Sequence, residues 1–265
     1  MGTIDISITS LLLGVILMAI PIYFLWKYYT GIVKSTINAV LRMIVQMFLV
    51  GLYLKYLFLW DNPWLNVLWL IIMVFVASET SLKRTNLKRR MLMLPLIIGF
   101  FTASILIGVY FLGIILKLDN IFDAQYFIPI FGILMGNMLG VNVIGLNTFY
   151  YNLQREKSYY YFLLGNGATI DEAITPFVKR ALVHSFSPAI ANMAVMGLVA
   201  LPGTMIGQIL GGSTPDVAIK YQMMIIVITN SASMLSLMTT LNLSKRATFD
   251  KMGAIINPFN EKKGK

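Results

Sequence analysis

The chain has no cysteine and a single histidine, His184. The first absence excludes disulfides and thiolate metal centres, and the second excludes any metal site built on two imidazoles. Charge is also scarce: Asp, Glu, Lys and Arg make up 12% of the 265 residues, with only 11 acidic side chains against 21 basic ones. Catalytic signatures are missing too, because there is no HExxH pair, no GxSxG elbow and no pair of aspartates inside an apolar run. GIVKST at 31–36 superficially suggests a nucleotide loop, but it lacks the Gly-Lys step and has no strand before it. The chain therefore carries no recognisable ATP-hydrolysing site, and no enzymatic role is expected of it.

What is abundant is apolar surface. Hydrophobic residues make up 58% of the chain and the mean hydropathy is +0.77, far from the balance of a water-soluble domain. Seven stretches are long enough to cross a hydrocarbon core of about 30 Å as helices. They run over 7–26, 37–59, 63–80, 92–116, 126–150, 186–211 and 219–243. The fold class is thus an all-α integral membrane protein of about seven transmembrane helices, one transmembrane domain over 1–265. No basic n-region precedes the first apolar run and no small-residue cleavage pattern follows it, so that helix is expected to be retained.

Charge tests the span count independently, since Lys and Arg should collect on alternate loops. Lys27, Lys34, the 83–90 cluster, Arg155, Lys157, Lys179, Arg180 and the tail place 17 of the 21 basic residues on one side. Asp5, Asp61, Asp119, Asp123 and Asp216 fall on the other. This predicts the N-terminus outside and the C-terminus in the cytoplasm. The net charge of +10 then follows from membrane orientation and anionic lipid, and no nucleic-acid partner is expected.

Polar residues inside spans are costly and must face a neighbouring helix or water. Asn38, Arg42 and Gln46 share one face of the second span, which suits either a path-lining stripe or an arginine snorkelling to headgroups. Asn137, Asn142 and Asn147 lie in the fifth span, Asn192 and Gln208 in the sixth, Gln222 and Asn230 in the seventh. No acidic residue lies deep in a span, which argues against a proton- or sodium-coupled carrier. The 17 methionines are scattered, a distribution that suits gap-filling more than a soft-metal site. Gly132, Gly136 and Gly140 recur every fourth residue in the fifth span, as do Gly203, Gly207 and Gly211 in the sixth; such faces allow a tight helix pair or a dimer seam. Pro202 should kink or hinge the sixth span.

Between the fifth and sixth spans, residues 151–185 are too polar for lipid but keep Tyr159, Phe162, Leu163, Ile174, Phe177 and Val178 at amphipathic spacing. Short helices at the membrane surface are expected, broken at Gly165 and Gly167 and restarting at Thr169 with Asp171 and Glu172 in the first turn.

LRMIVQMFLVGLYLKYLF at 41–58, IPIFGILMGN at 128–137, GATIDEA at 167–173 and GLVALPGTMIGQILGGSTPDVAIKYQ at 197–222 cover the chain in order. Together they resemble the FetB-type permease family of ABC transporters, described as iron exporters with plant relatives linked to aluminium tolerance. The resemblance implies a homodimeric permease in the cell membrane, exporting a metal ion and serving metal homeostasis. It also implies a separate cytoplasmic ATPase subunit that binds ATP and Mg, so that no cofactor resides in this chain. On that reading Glu156, Gly165, Gly167, Ala168, Thr169, Asp171 and Glu172 couple to the ATPase. Arg42, Gln46, Asn137, Asn192 and Gln208 line the pathway, and Pro202 and Gly203 form a hinge; metal ligands stay unassigned. An ATP-independent carrier or channel for a small solute is the alternative. The chain departs from the family pattern in two places. Phe162 stands at a usually acidic position before the loop break, with Glu156 the nearest substitute, and Thr204 and Ile206 replace residues of the LPGMMTGQ block.

Overall fold

The computed structural model describes residues 6–250 and 252–260. Asp5 and the tail lysines Lys251, Lys262, Lys263 and Lys265 lie outside the described residues. All named elements are helical: α1 (Ile8–Ile16), α2 (Ala19–Lys27), α3 (Val33–Trp60), α4 (Pro63–Thr85), α5 (Arg89–Val109, prolonged by a π turn at Tyr110–Ile115), α6 (Ala124–Arg155), α7 (Lys157–Gly165), α8 (Ile170–Val195), α9 (Gly203–Leu210) and α10 (Pro215–Thr248). The chain is an all-α integral membrane protein.

Six helical stretches are long and apolar enough to span a bilayer: Ile8–Lys27, Val33–Trp60, Pro63–Thr85, Arg89–Ile115, Ala124–Arg155 and Pro215–Thr248. The first is bent where Pro21, lacking an N–H and crowding the Leu17 carbonyl, separates α1 from α2. The expected sixth span, 186–211, is not one helix. α8 ends at Val195, residues 196–202 are non-helical, and α9 is a separate element. Gly197, at φ +86°, turns the backbone out of helix and donates to the Ala200 carbonyl at 3.0 Å; Pro202 then starts α9 as its extended N-cap. Pro202 therefore marks a complete break, where a kink was expected.

The core lies among α4, α5, α6, α8 and α10, while α1, α2 and α3 bury no residue within the chain. α6 and α10 run parallel, in constant register: Asn142 donates to Ser236 (3.0 Å), and Tyr150 donates to Ser244 (2.8 Å) and pairs with Thr248 (3.0 Å). Small residues set their spacing. A Cβ at Gly145 would lie 2.6 Å from Leu237, and one at Gly99 of α5 would lie 2.8 Å from the Ser236 carbonyl. At about 1.5 Å per residue, α6 and α10 are each about 50 Å long, well beyond a core of about 30 Å. At the basic end of the bundle they extend past the apolar layer.

Both helices begin at the acidic end, where Asp61 accepts from the Ala124 amide (2.9 Å) and Asn66 donates to the Phe122 carbonyl (2.8 Å). The segment joining the end of α6 to the start of α10 must therefore return along the bundle, and it does so through α8, the break and α9. The restart at Thr169 is as expected, but α8 is not a surface helix. Ile174, Phe177, Ala181 and Ser185 are buried on one face and carry it without interruption into the bundle.

Candidate functional site

The break between α8 and α9 is the feature around which polar side chains converge. Three adjoining cavities surround it, of about 610, 380 and 260 Å³. The smallest is lined by Asn137 of α6, Asn192 of α8, Thr204 of α9 and Gln222, Thr229 and Asn230 of α10, with apolar neighbours. Gln208 and Thr204 face the largest, which opens toward Gln125, Tyr126 and Ser213 near the acidic end. Buried Gln222 accepts a hydrogen bond from the Thr204 hydroxyl, pinning α9 to α10 where the cavities meet.

Depth gives this cluster meaning. Ile133, in its wall, lies nine residues from the start of α6, about 14 Å along the axis and near the middle of a core of about 30 Å. Irregular backbone is tolerated at that depth only where it is buried in protein or lines a cavity. Discontinuous helices beside a polar cleft are the usual way a transporter builds its substrate site. The described residues lining the three cavities include no carboxylate and no basic side chain, so amides, hydroxyls and thioethers supply the coordinating groups.

The pathway residues divide accordingly. Asn137 and Asn192 meet in the smallest cavity and Gln208 lines the adjoining largest one, whereas Arg42 and Gln46 lie exposed on α3, outside all three cavities. α3 buries nothing within the chain, so helical spacing alone placed that stripe and no tertiary contact carries it to the cleft. Thr204, Gln222, Thr229 and Asn230 were not expected as a site. Their only signal was polarity inside apolar runs, and their juxtaposition depends on α9 folding against α10. Gly207 borders the cleft, and a Cβ at Gly203 or Gly207 meets nothing within 4 Å; Gly211 approaches only its own helix. Gly132, Gly136 and Gly140 are likewise open, so neither glycine series makes a close seam within the chain.

At the basic end the expected coupling residues from Gly165 to Glu172 form one compact turn, while Glu156 lies at the far end of α7. Thr169 and Glu172 make a reciprocal cap: the Thr169 amide donates to Glu172 (2.8 Å) and the Glu172 amide to the Thr169 hydroxyl (3.3 Å). The bond from the Thr169 amide, helped by its hydroxyl, holds the Glu172 carboxyl below its ordinary range. Glu156 pairs with Arg180 at 2.5 Å, which lowers its carboxyl likewise, and Asp171 accepts from Lys245 at 2.6 Å. These three acids are committed within the chain. Phe162, by contrast, is 63% exposed beside Gly165, Asn166 and Gly167, with Ala168 half-buried behind them. Gly167 has φ +90°, the left-handed conformation that makes this turn possible.

The tail braces the same region. Tyr160 donates to the Gly253 carbonyl (2.9 Å) and stacks on Phe249, while the Ile255 amide donates to Tyr161 (3.1 Å). Burial pushes the Tyr160 phenol up to about 12, so it remains a donor through neutral pH. Further along, Lys88 donates from its amide to the Pro258 carbonyl (2.7 Å), tying the α4–α5 turn to the same strap.

Among known proteins, the chain is 29% identical over 231 residues to the UPF0014 membrane protein YjkA of Bacillus subtilis, covering 86% of this chain and 89% of the relative. It is 32% identical over 219 residues to Protein ALUMINUM SENSITIVE 3 of Arabidopsis thaliana, covering 81% and 77%. To an Escherichia coli protein named a probable iron export permease, FetB, it is 27% identical over 256 residues, covering 97% of both chains. No solved structure matches. The profile of UPF0014, described as an uncharacterised protein family, matches residues 8–249, and the chain belongs to that family.

Proposed function

We propose that the chain is the membrane-spanning permease subunit of an ABC-type transporter, moving a metal ion outward across the cell membrane with ATP hydrolysed by a separate subunit. The observation that carries this reading is the broken helix at mid-membrane depth, with Asn137, Asn192, Thr204 and Gln222 gathered at the break. A permease needs such a polar waist, where substrate can be held while helices rearrange around it. The FetB relative, named for iron export, supports a metal as the substrate class. The α7–α8 turn suits a docking point for the ATPase: it is rigidly capped, lies at the basic end with the expected cytoplasmic loops, and offers Phe162 outward. The homodimer and the orientation with the N-terminus outside belong to the same reading.

Reconstitution with a co-purifying ATPase and measurement of ATP-dependent movement of a panel of metals and small solutes tests it. The expected result is nucleotide-dependent export of at least one metal. Transport that persists undiminished without nucleotide would overturn the ABC reading in favour of a stand-alone carrier or channel.

A further inference from the structure

Four of the seventeen methionines, scattered in sequence, converge in space. Met193 ends α8, Met196 sits in the break, Met205 lies in α9 and Met223 in α10, yet all four line one cavity of about 380 Å³. They meet because the helix is interrupted at Gly197 and α9 packs on α10. A thioether used only to fill a gap is normally buried, as Met138 is here at 0% exposure. Met193 and Met223 line the cavity while remaining 38% and 51% exposed, so neither is sealed into the core. Gln222 adds the cavity's one side-chain amide, and the Asn230 amide lies 4.0 Å from the Met193 sulfur.

We propose that this cavity binds a soft monovalent cation of the Cu(I) class. Thioethers are neutral, polarisable ligands that select Cu(I), whereas hard cations demand oxygen donors, usually charged ones. Desolvation reinforces the choice, since the cost of burying an ion rises with the square of its charge and the lining carries no carboxylate to offset it. A trivalent ion in these walls would be left uncompensated, while a monovalent ion held by several sulfurs would not. That the bound ion is also cargo rests on the permease reading; the binding itself does not.

The test uses the full chain in detergent micelles or nanodiscs, titrated in chloride-free buffer with Ag(I), a redox-stable probe of the same class. The expected result is one saturable Ag(I) per chain with sulfur in its first shell by X-ray absorption, uncompeted by Fe(II) or Zn(II). Met193→Leu with Met223→Leu, close in volume, should weaken Ag(I) by at least about tenfold, given that outer-shell losses alone cost 10–100-fold at metal sites. Met43→Leu with Met47→Leu on α3 should leave it unchanged. A first shell without sulfur, or equal loss in both double variants, would overturn the proposal. The spectroscopy on the unaltered chain decides the matter even if a variant folds poorly. A chain that exports metal with ATP but holds Ag(I) without sulfur in its first shell would sink the inference and leave the permease standing. Cavity-specific Ag(I) binding in a chain that moves no metal with ATP would do the reverse.

Discussion

Glycine spacing and glycine packing part company at the residue level. The four-residue series at 132, 136 and 140 faces open space within the chain, while Gly99, Gly108 and Gly145 are the glycines that neighbours press upon most closely. Gly99→Ala and Gly145→Ala should therefore each destabilise the detergent-solubilised protein by about 1–3 kcal/mol, the usual cost of overpacking, with a lower melting temperature. Gly132→Ala should leave it unchanged. The α8 cap is a second residue-level device. Thr169→Ala should cost about 1 kcal/mol and speed amide exchange in the first turn of α8. Its pH dependence has a definite sign. Glu172 and Glu156 are held below their ordinary value of 4.5, so their contribution is complete above that value and is lost as pH falls through the lower folded value. Protection of the α7–α8 turn amides, after correction for the intrinsic pH dependence of exchange, should fall only on acidification and stay constant between neutral and mildly alkaline pH.

Among the elements, α7 and the α8–α9 break matter most. The helix–break–helix around Gly165 and Gly167 was legible because capping and glycine signals are local. That α8 runs on into the bundle was not, because its burial depends on which face α6 offers. Glu156, Asp171 and Glu172 are occupied within the chain, so on the proposed permease reading the exposed tip of α7 is the surface to test for ATPase docking. Phe162→Ala should reduce co-purification of the ATPase severalfold while leaving expression and melting temperature unaltered. Retained co-purification would remove α7 from the interface. Asp171→Lys would set a like charge against Lys245 and disturb the turn itself, which makes it the less specific probe.

For the whole molecule, the outstanding fact is that α1–α3 contribute nothing to the buried core, so that the bundle of α4–α10 and the N-terminal helices meet only lightly. Arg42, Gln46 and the open glycine face of α6 all wait on surfaces that this chain does not cover itself. A second copy would bring partners to them. The natural absence of cysteine makes the point simple to check: Gly136→Cys, as the sole thiol, should form a disulfide-linked dimer in membranes under mild oxidation if the α6 face is the seam. Monomer alone, with the same treatment cross-linking single cysteines on α3, would move the seam to the N-terminal helices.

Composition and period by themselves determined that this chain is helical, spans a membrane, segregates its basic loops and restarts a helix at Thr169. These follow from hydration cost, backbone hydrogen bonding and capping, all of which act over a few residues. They also identified Asn137, Asn192 and Gln208 as polar residues in costly places. Only the tertiary structure decided that Asn137 and Asn192 share a cavity beside the one Gln208 lines while Arg42 lies apart, that 186–211 is a broken helix, and that four distant methionines share one cavity. Each of those depends on how α9 folds back onto α10, a long-range packing outcome that no local period encodes.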